Sequence, residues 1–136
     1  DYLEIFNILK YEKKIYIVKN IVKSIILFYL SLSSLYILPC LIYNTNYNNE
    51  LIKYYSSLYV GNDIIALFIV PNLPRSTKLH HCTTTLLLFY SLNTIYNEEN
   101  VVGRLLVIYS IFSSYSFIVN LYLGIMHKCS KVNMAS

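Results

Sequence analysis

From Ile21 to Tyr43 the chain reads IVKSIILFYLSLSSLYILPCLIY, with Lys23 as its only charge. A run of this length and apolarity fits a helix crossing the roughly 30 Å hydrocarbon core of a bilayer. Lys23 lies near its start, where a long side chain can snorkel toward water. Pro39 lies near its exit, where a kink costs least. Three further apolar runs follow, at about Tyr54 to Val70, His80 to Tyr96 and Val101 to Met126. The last is the cleanest, with only Arg104 at its start. The expected fold is all-α: one polytopic transmembrane helical bundle over 1–136, with about four spans. There is no internal repeat, heptad run or separate soluble domain.

Composition agrees. The chain is 56% hydrophobic and 13% charged, about half the charged fraction of a soluble domain, roughly 25%. The abundance of Asn, Ile, Lys and Tyr reads as coding bias, so single Asn or Tyr residues carry little weight. The chain opens on Asp1, which points to a fragment or a processed product, and no secretory signal pattern stands near its start. Residues 1–20 mix Leu3, Ile5, Phe6, Ile8 and Leu9 with Lys and Glu. They read either as an interfacial amphipathic segment or as the tail of a preceding helix.

The loops are short, so sequential helices should be antiparallel neighbours. Pro71 and Pro74 bracket the break between the second and third runs. The net charge is +4, and its placement sets topology. Four crossings put Lys10, Lys13, Lys14 and Lys19, the Arg75/Lys78 loop and the Lys128/Lys131 tail on one side. The other side receives Lys53 and the Glu98/Glu99 turn. The positive-inside rule makes the first side cytoplasmic, with both termini of this chain there. Nucleic-acid binding is disfavoured, because the basic residues flank apolar spans instead of forming a face on a soluble fold. Cys40, Cys82 and Cys129 have no disulfide or zinc spacing and read as small apolar packing residues.

Three ionisable side chains sit inside these greasy segments: Asp63, His80 and His81. Such groups at membrane depth are costly and usually face a bundle interior or polar cavity. Asp63 falls about two turns before the end of the second span, on the side where the third begins. A histidine of the next helix is its cheapest partner; the bland alternative is a hydrogen bond to Ser, Tyr or Asn. Neighbouring histidines diverge by about 100° on a helix, a poor chelating pair beside the i,i+3 or i,i+4 spacing of helical metal sites. No metal or other cofactor is expected. One imidazole suits a general base; the bland alternative is an interfacial pair bonded to loop carbonyls. Thr83, Thr84 and Thr85, and the Ser/Tyr run holding Tyr109, Ser110, Ser113 and Ser114, read mainly as helix-packing residues. Arg104 and His127 read as residues anchored at the interface.

The order Lys19-Asn20-Ile21-Val22-Lys23-Ser24, Gly61-Asn62-Asp63, Leu79-His80-His81-Cys82-Thr83-Thr84, then Gly103 and Phe117-Ile118-Val119-Asn120, resembles the TLC family. That homology domain is shared by ceramide synthases, translocating-chain-associating membrane proteins and CLN-type proteins. The resemblance runs from about Tyr11 to Lys128. It implies an endoplasmic-reticulum membrane domain that handles lipid, with at least one further helix beyond this chain. In ceramide synthases the histidine pair joins a fatty acyl group from acyl-CoA to a sphingoid amine. Carried over, that makes His80 and His81 catalytic candidates and Asp63 a supporting residue. Ceramide synthases also carry acids in a later helix, whereas here no Asp or Glu follows Glu99.

That departure orders the functional expectations. First comes a membrane protein of lipid homeostasis that binds or senses a lipid, with Asp63, Thr84, Tyr109 and Ser113 lining a polar-headed slot. Second comes an N-acyltransferase of ceramide-synthase type. Third comes a structural or translocation-associated protein whose histidines only pack. A small channel or transporter comes last, since no repeat or pore ring is present.

Overall fold

Among the described residues the main elements are five helices: α1 (Tyr11–Tyr43), α2 (Asn49–Ile69), α3 (Arg75–Asn93), α4 (Val101–Ser114) and α5 (Phe117–Val132). The computed structural model describes residues 6–43, 48–97 and 99–132, with side chains through 126. Among these residues there is no strand. α1 is the central post and packs against α2, α4 and most extensively α5, while α3 packs against α2. Two stretches are long and apolar enough to cross a membrane, Tyr11–Tyr43 and Val101–Met126. α2 and α3 do not reach that threshold, because charged and hydroxyl side chains interrupt them.

The distribution of side chains is inside-out. Among the described residues, twelve hydrophobic side chains are buried against eleven polar or charged ones, while Phe68, Leu86, Phe112 and Tyr122 are among many large apolar groups left exposed. An apolar exterior of that extent marks a surface made for a membrane or a partner. The α1 seam shows the inner side of the pattern. Ile17, Asn20, Ser24, Leu27, Ser31, Ser34, Ile37 and Leu41 are all buried, at steps of three or four residues. Half of them are Asn or Ser, so no apolar heptad is visible in the sequence. Small residues at such spacing let helix backbones approach closely. At the far end of the bundle Ile37, Leu41, Ile52, Tyr96 and Ile111 form an apolar cluster.

Several boundaries differ from expectation, each for a local reason. α1 begins at Tyr11 rather than Ile21, so residues 11–20 continue the first helix; Asp1 to Ile5 lie outside the described residues. α1 also runs through Pro39 to Tyr43. The Asn residues discounted as coding bias act as caps. Asn48 accepts from the Leu51 amide at 3.0 Å and Asn100 from the Gly103 amide at 2.8 Å, each cap contributing about 1 kcal/mol. The Arg104 guanidinium donates to the Leu41 carbonyl at 2.8 Å and so satisfies the C-terminal end of α1. Asn72 takes a left-handed φ of 57° between Pro71 and Pro74 and turns the chain from α2 into α3.

The fourth expected span is broken. α4 ends at Ser114, and α5 starts at Phe117 after a turn at Tyr115 and Ser116. Ser110 and Ser114 bond back to the Leu106 and Ile111 carbonyls, and such back-bonding bends helices. Cys82 is exposed rather than packed, and Cys40 is half-buried.

Glycines give a stability test of this packing. A Cβ on Gly124 would meet Ile21 Cγ1 at 2.7 Å, while one on Gly61 meets nothing within 4 Å. Gly124→Val should destabilise the detergent-solubilised protein by about 1–3 kcal/mol. Gly61→Ala should be neutral or stabilise it by up to about 1 kcal/mol. Equal unfolding midpoints for the two variants would contradict the α1–α5 contact.

Candidate functional site

Asp63 is 1% exposed, two turns from the C-terminal end of α2. A carboxylate held there needs a cation or a proton, since an isolated charge in such surroundings is strongly disfavoured. The structure supplies Lys23 of α1, whose ammonium donates to Asp63 Oδ1. Lys23 therefore turns inward rather than snorkelling outward. Antiparallel packing of α1 and α2 brings the two residues level.

The other carboxylate oxygen faces α3. His81 Nδ1 lies 3.3 Å and His80 Nε2 4.0 Å from Asp63 Oδ2. The meeting depends on where α3 starts. Pro74 fixes its beginning, so the histidines fall in its second turn, level with Asp63. Their rings are 5.6 Å apart and tilted by 52°. His81 turns into the bundle at 2% exposure, whereas His80 stays exposed.

Several buried atoms here have no hydrogen-bond partner: Asp63 Oδ2, both ring nitrogens of His81, Asn20 Nδ2 and Asn62 Nδ2. His81 Nδ1 and Asp63 Oδ2 are close without hydrogen-bond alignment. A small ring rotation would make Asp63 the orienting partner of Nδ1, leaving Nε2 to act on a reacting group. One donor atom from each of Asp63, His80 and His81 lies within 4.8 Å of the others, a looser set than the 2.0–2.2 Å bonds of a zinc centre produce. Lys23 already holds Oδ1 and repels a second cation, so the charge balance works against a metal.

Of the expected site residues, Asp63, His80 and His81 come together and the rest do not join them. Thr84 is buried one turn further along α3, and its hydroxyl donates to the His81 carbonyl at 3.0 Å. Ser113 pairs with the Tyr59 hydroxyl at 2.6 Å, one turn before Asp63. Tyr109 is largely exposed. The inner slot expected around these residues is small. The voids between α1, α2 and α4 and between α2, α3 and α4 measure about 40 and 50 Å³, room for a water or two. The roomy cavity lies elsewhere, a groove of about 390 Å³ between the first turns of α1 and the last turns of α2. Lys23 and Lys19 are the site residues that sequence reasoning missed. Their signal was a pair at i,i+4 on one helix face, facing a lone acid at matching depth.

Comparison with protein-family models, curated proteins and solved structures yields no match.

Removing one member should expose the energetics of that cluster. Asp63→Asn leaves Lys23 without a counter-charge and should destabilise the protein by about 3–5 kcal/mol. Asp63→Leu combined with Lys23→Met should recover most of the loss. A double-mutant cycle with no coupling between the two positions would show that the ion pair is not made.

Proposed function

We propose that this chain is an integral membrane protein of lipid homeostasis, a four-span bundle that binds a membrane lipid beside the Lys23–Asp63–His81 cluster. The observation that supports it is a set of polar atoms without partners, buried where the helices present an apolar exterior. Ionisable groups retained at such depth, against their desolvation cost, mark sites of function. The adjoining groove gives an acyl chain an apolar wall open to the bilayer. The resemblance to TLC domains points the same way and implies an endoplasmic-reticulum location.

A second reading is favoured by one contact. Asp63 Oδ2 lies 3.3 Å from His81 Nδ1, which supports a role for this acid in orienting the histidine, the role the resemblance gives to the later-helix acids of ceramide synthases. With Asp63 orienting Nδ1, His81 Nε2 could take the proton of a sphingoid amine as it attacks the acyl-CoA thioester carbonyl, then give it to the departing CoA thiolate as the C–S bond breaks, leaving the amide and free CoA thiol. His80, more exposed, would stand beside the approaching substrate.

One experiment separates these readings: lipid analysis of cells lacking their own ceramide synthases that express the chain or its His80→Ala/His81→Ala variant. New ceramide that vanishes in the variant establishes the acyltransferase. No ceramide, with other membrane lipids shifted by the native chain and unshifted by Asp63→Asn or His81→Ala, establishes lipid binding. Unchanged lipids with confirmed expression refute both and leave a structural role.

The four-span arrangement has its own check. With α2 and α3 crossing, a cysteine at Ser76 should react with an impermeant thiol reagent only from the cytoplasmic side. One at Asn97 should react only from the opposite side, and labelling of both from one side would eliminate this topology.

A further inference from the structure

The charges at the basic end of the bundle do not balance. Two ammonium groups one helical turn apart, Lys19 and Lys23, share the neighbourhood of one carboxylate, Asp63. Lys23 takes it. Lys19 is left over a tyrosine ring, 6.0 Å from the centroid of Tyr16, and among the described residues it has no carboxylate within ion-pair distance. The buried amide nitrogen of Asn62, which lines the same groove, has no hydrogen-bond acceptor. A half-buried cation without a carboxylate partner, beside an amide donor without an acceptor, calls for an anion that brings acceptors of its own.

The groove supplies the place. Lys14, Lys19 and Asn62 share its lining with Val22, Ile65 and Ile69. Its volume of about 390 Å³ falls within the range of small-molecule sites, roughly 300–1,000 Å³. Its walls are otherwise apolar, and it flanks the helix ends that carry most of the basic residues. Antiparallel packing sets Lys14 nearest the membrane surface, Lys19 deeper, and Asn62 about one further turn in, some 5 Å at helical pitch. A phospholipid presents its acceptors in the same order: a phosphate outermost, ester carbonyls a few ångströms below, then hydrocarbon.

We infer that the α1–α2 groove binds one anionic phospholipid of the cytoplasmic leaflet. Lys19 and Lys14 hold its phosphate, Asn62 donates to an ester carbonyl, and an acyl chain lies along Val22, Ile65 and Ile69. The inference rests on the lipid-binding reading above and names the lipid class. A free phosphate would satisfy Lys19 but leave Asn62 and the apolar walls unused.

Native mass spectrometry of the full chain in detergent tests it, with dioleoyl phosphatidylglycerol, dioleoyl phosphatidylcholine and glycerol phosphate as probes. The native chain should retain one phosphatidylglycerol about 25-fold better than phosphatidylcholine, at about fivefold for each of the two lysines near the anionic lipid. Glycerol phosphate should not be retained. Lys19→Gln should cut the preference to about fivefold, Lys19→Arg should keep it, and Lys13→Gln, an exposed lysine outside the groove, should leave it unchanged. Unfolding midpoints of the Gln and Arg variants, measured in parallel, separate lost binding from lost folding.

Equal retention of the two phospholipids, or an equal loss in Lys13→Gln and Lys19→Gln, would overturn the assignment. So would retained glycerol phosphate, which would show a plain anion site. If both phospholipids bind equally but are lost together in Asp63→Asn, the anionic assignment fails while the broader lipid reading stands. If neither is retained, both fail.

Discussion

Everything near the basic end of this bundle follows from one buried carboxylate. Bringing an unpaired carboxylate into surroundings of low dielectric costs on the order of 20 kcal/mol by the idealised Born estimate. Asp63 must therefore be held by a cation, and Lys23 is the one at matching depth. That pairing fixes the level of α2 against α1. It also leaves one carboxylate oxygen facing α3, where His81 and His80 approach it. A pair of this kind adds little net stability over apolar residues of the same shape, yet breaking it is costly. Its persistence in a small bundle is better explained by what it positions than by what it stabilises.

The rest of the fold is arranged so that this polar interior is tolerable. α1 turns a seam of Asn, Ser and aliphatic side chains inward and its larger apolar groups outward. Gly124 lies close against the α1 backbone at Ile17 and Ile21, the kind of small-residue contact that lets dispersion hold two helices together. Hydroxyl groups satisfy themselves locally, as Ser34 does with the Ser31 carbonyl and Thr84 with that of His81. The one helix that such bonding breaks is the Val101–Met126 stretch, where serines cluster ahead of Tyr115.

Much of this could be read from residue order. The apolar runs mark α1 and the α4–α5 stretch, the prolines at 71 and 74 mark the turn, and the isolated Asp63 with the histidine pair marks the site. Harder to read was anything that depends on side-chain direction. Lys23 near the start of an apolar run looks like a snorkelling residue until the carboxylate of another helix is level with it. Arg104 at the start of an apolar run gives no sign that an α1 carbonyl lies within its reach. Asn48 and Asn100 are invisible as caps when Asn is abundant. Tyr109, Ser113 and Thr84 share the chemistry of the site but not its location, because hydroxyl groups recur along every helix while charges do not.

The same reasoning decides which ligand chemistry the cluster favours. Two histidines and an aspartate within reach of one another are the components of a metal centre, and geometry alone would allow one to form by tightening. The lysines change the balance. With Lys23 on one oxygen of Asp63 and Lys19 one turn away, a divalent cation would join two ammonium groups around a single carboxylate, in surroundings where charge repulsion is poorly screened. A negatively charged headgroup at Lys19 reverses the sign of that term. It compensates the surplus cation and leaves the Lys23–Asp63 pair intact. The charge arrangement thus favours an anion in the groove over a divalent cation at the Asp63 cluster so long as both lysines carry their charge.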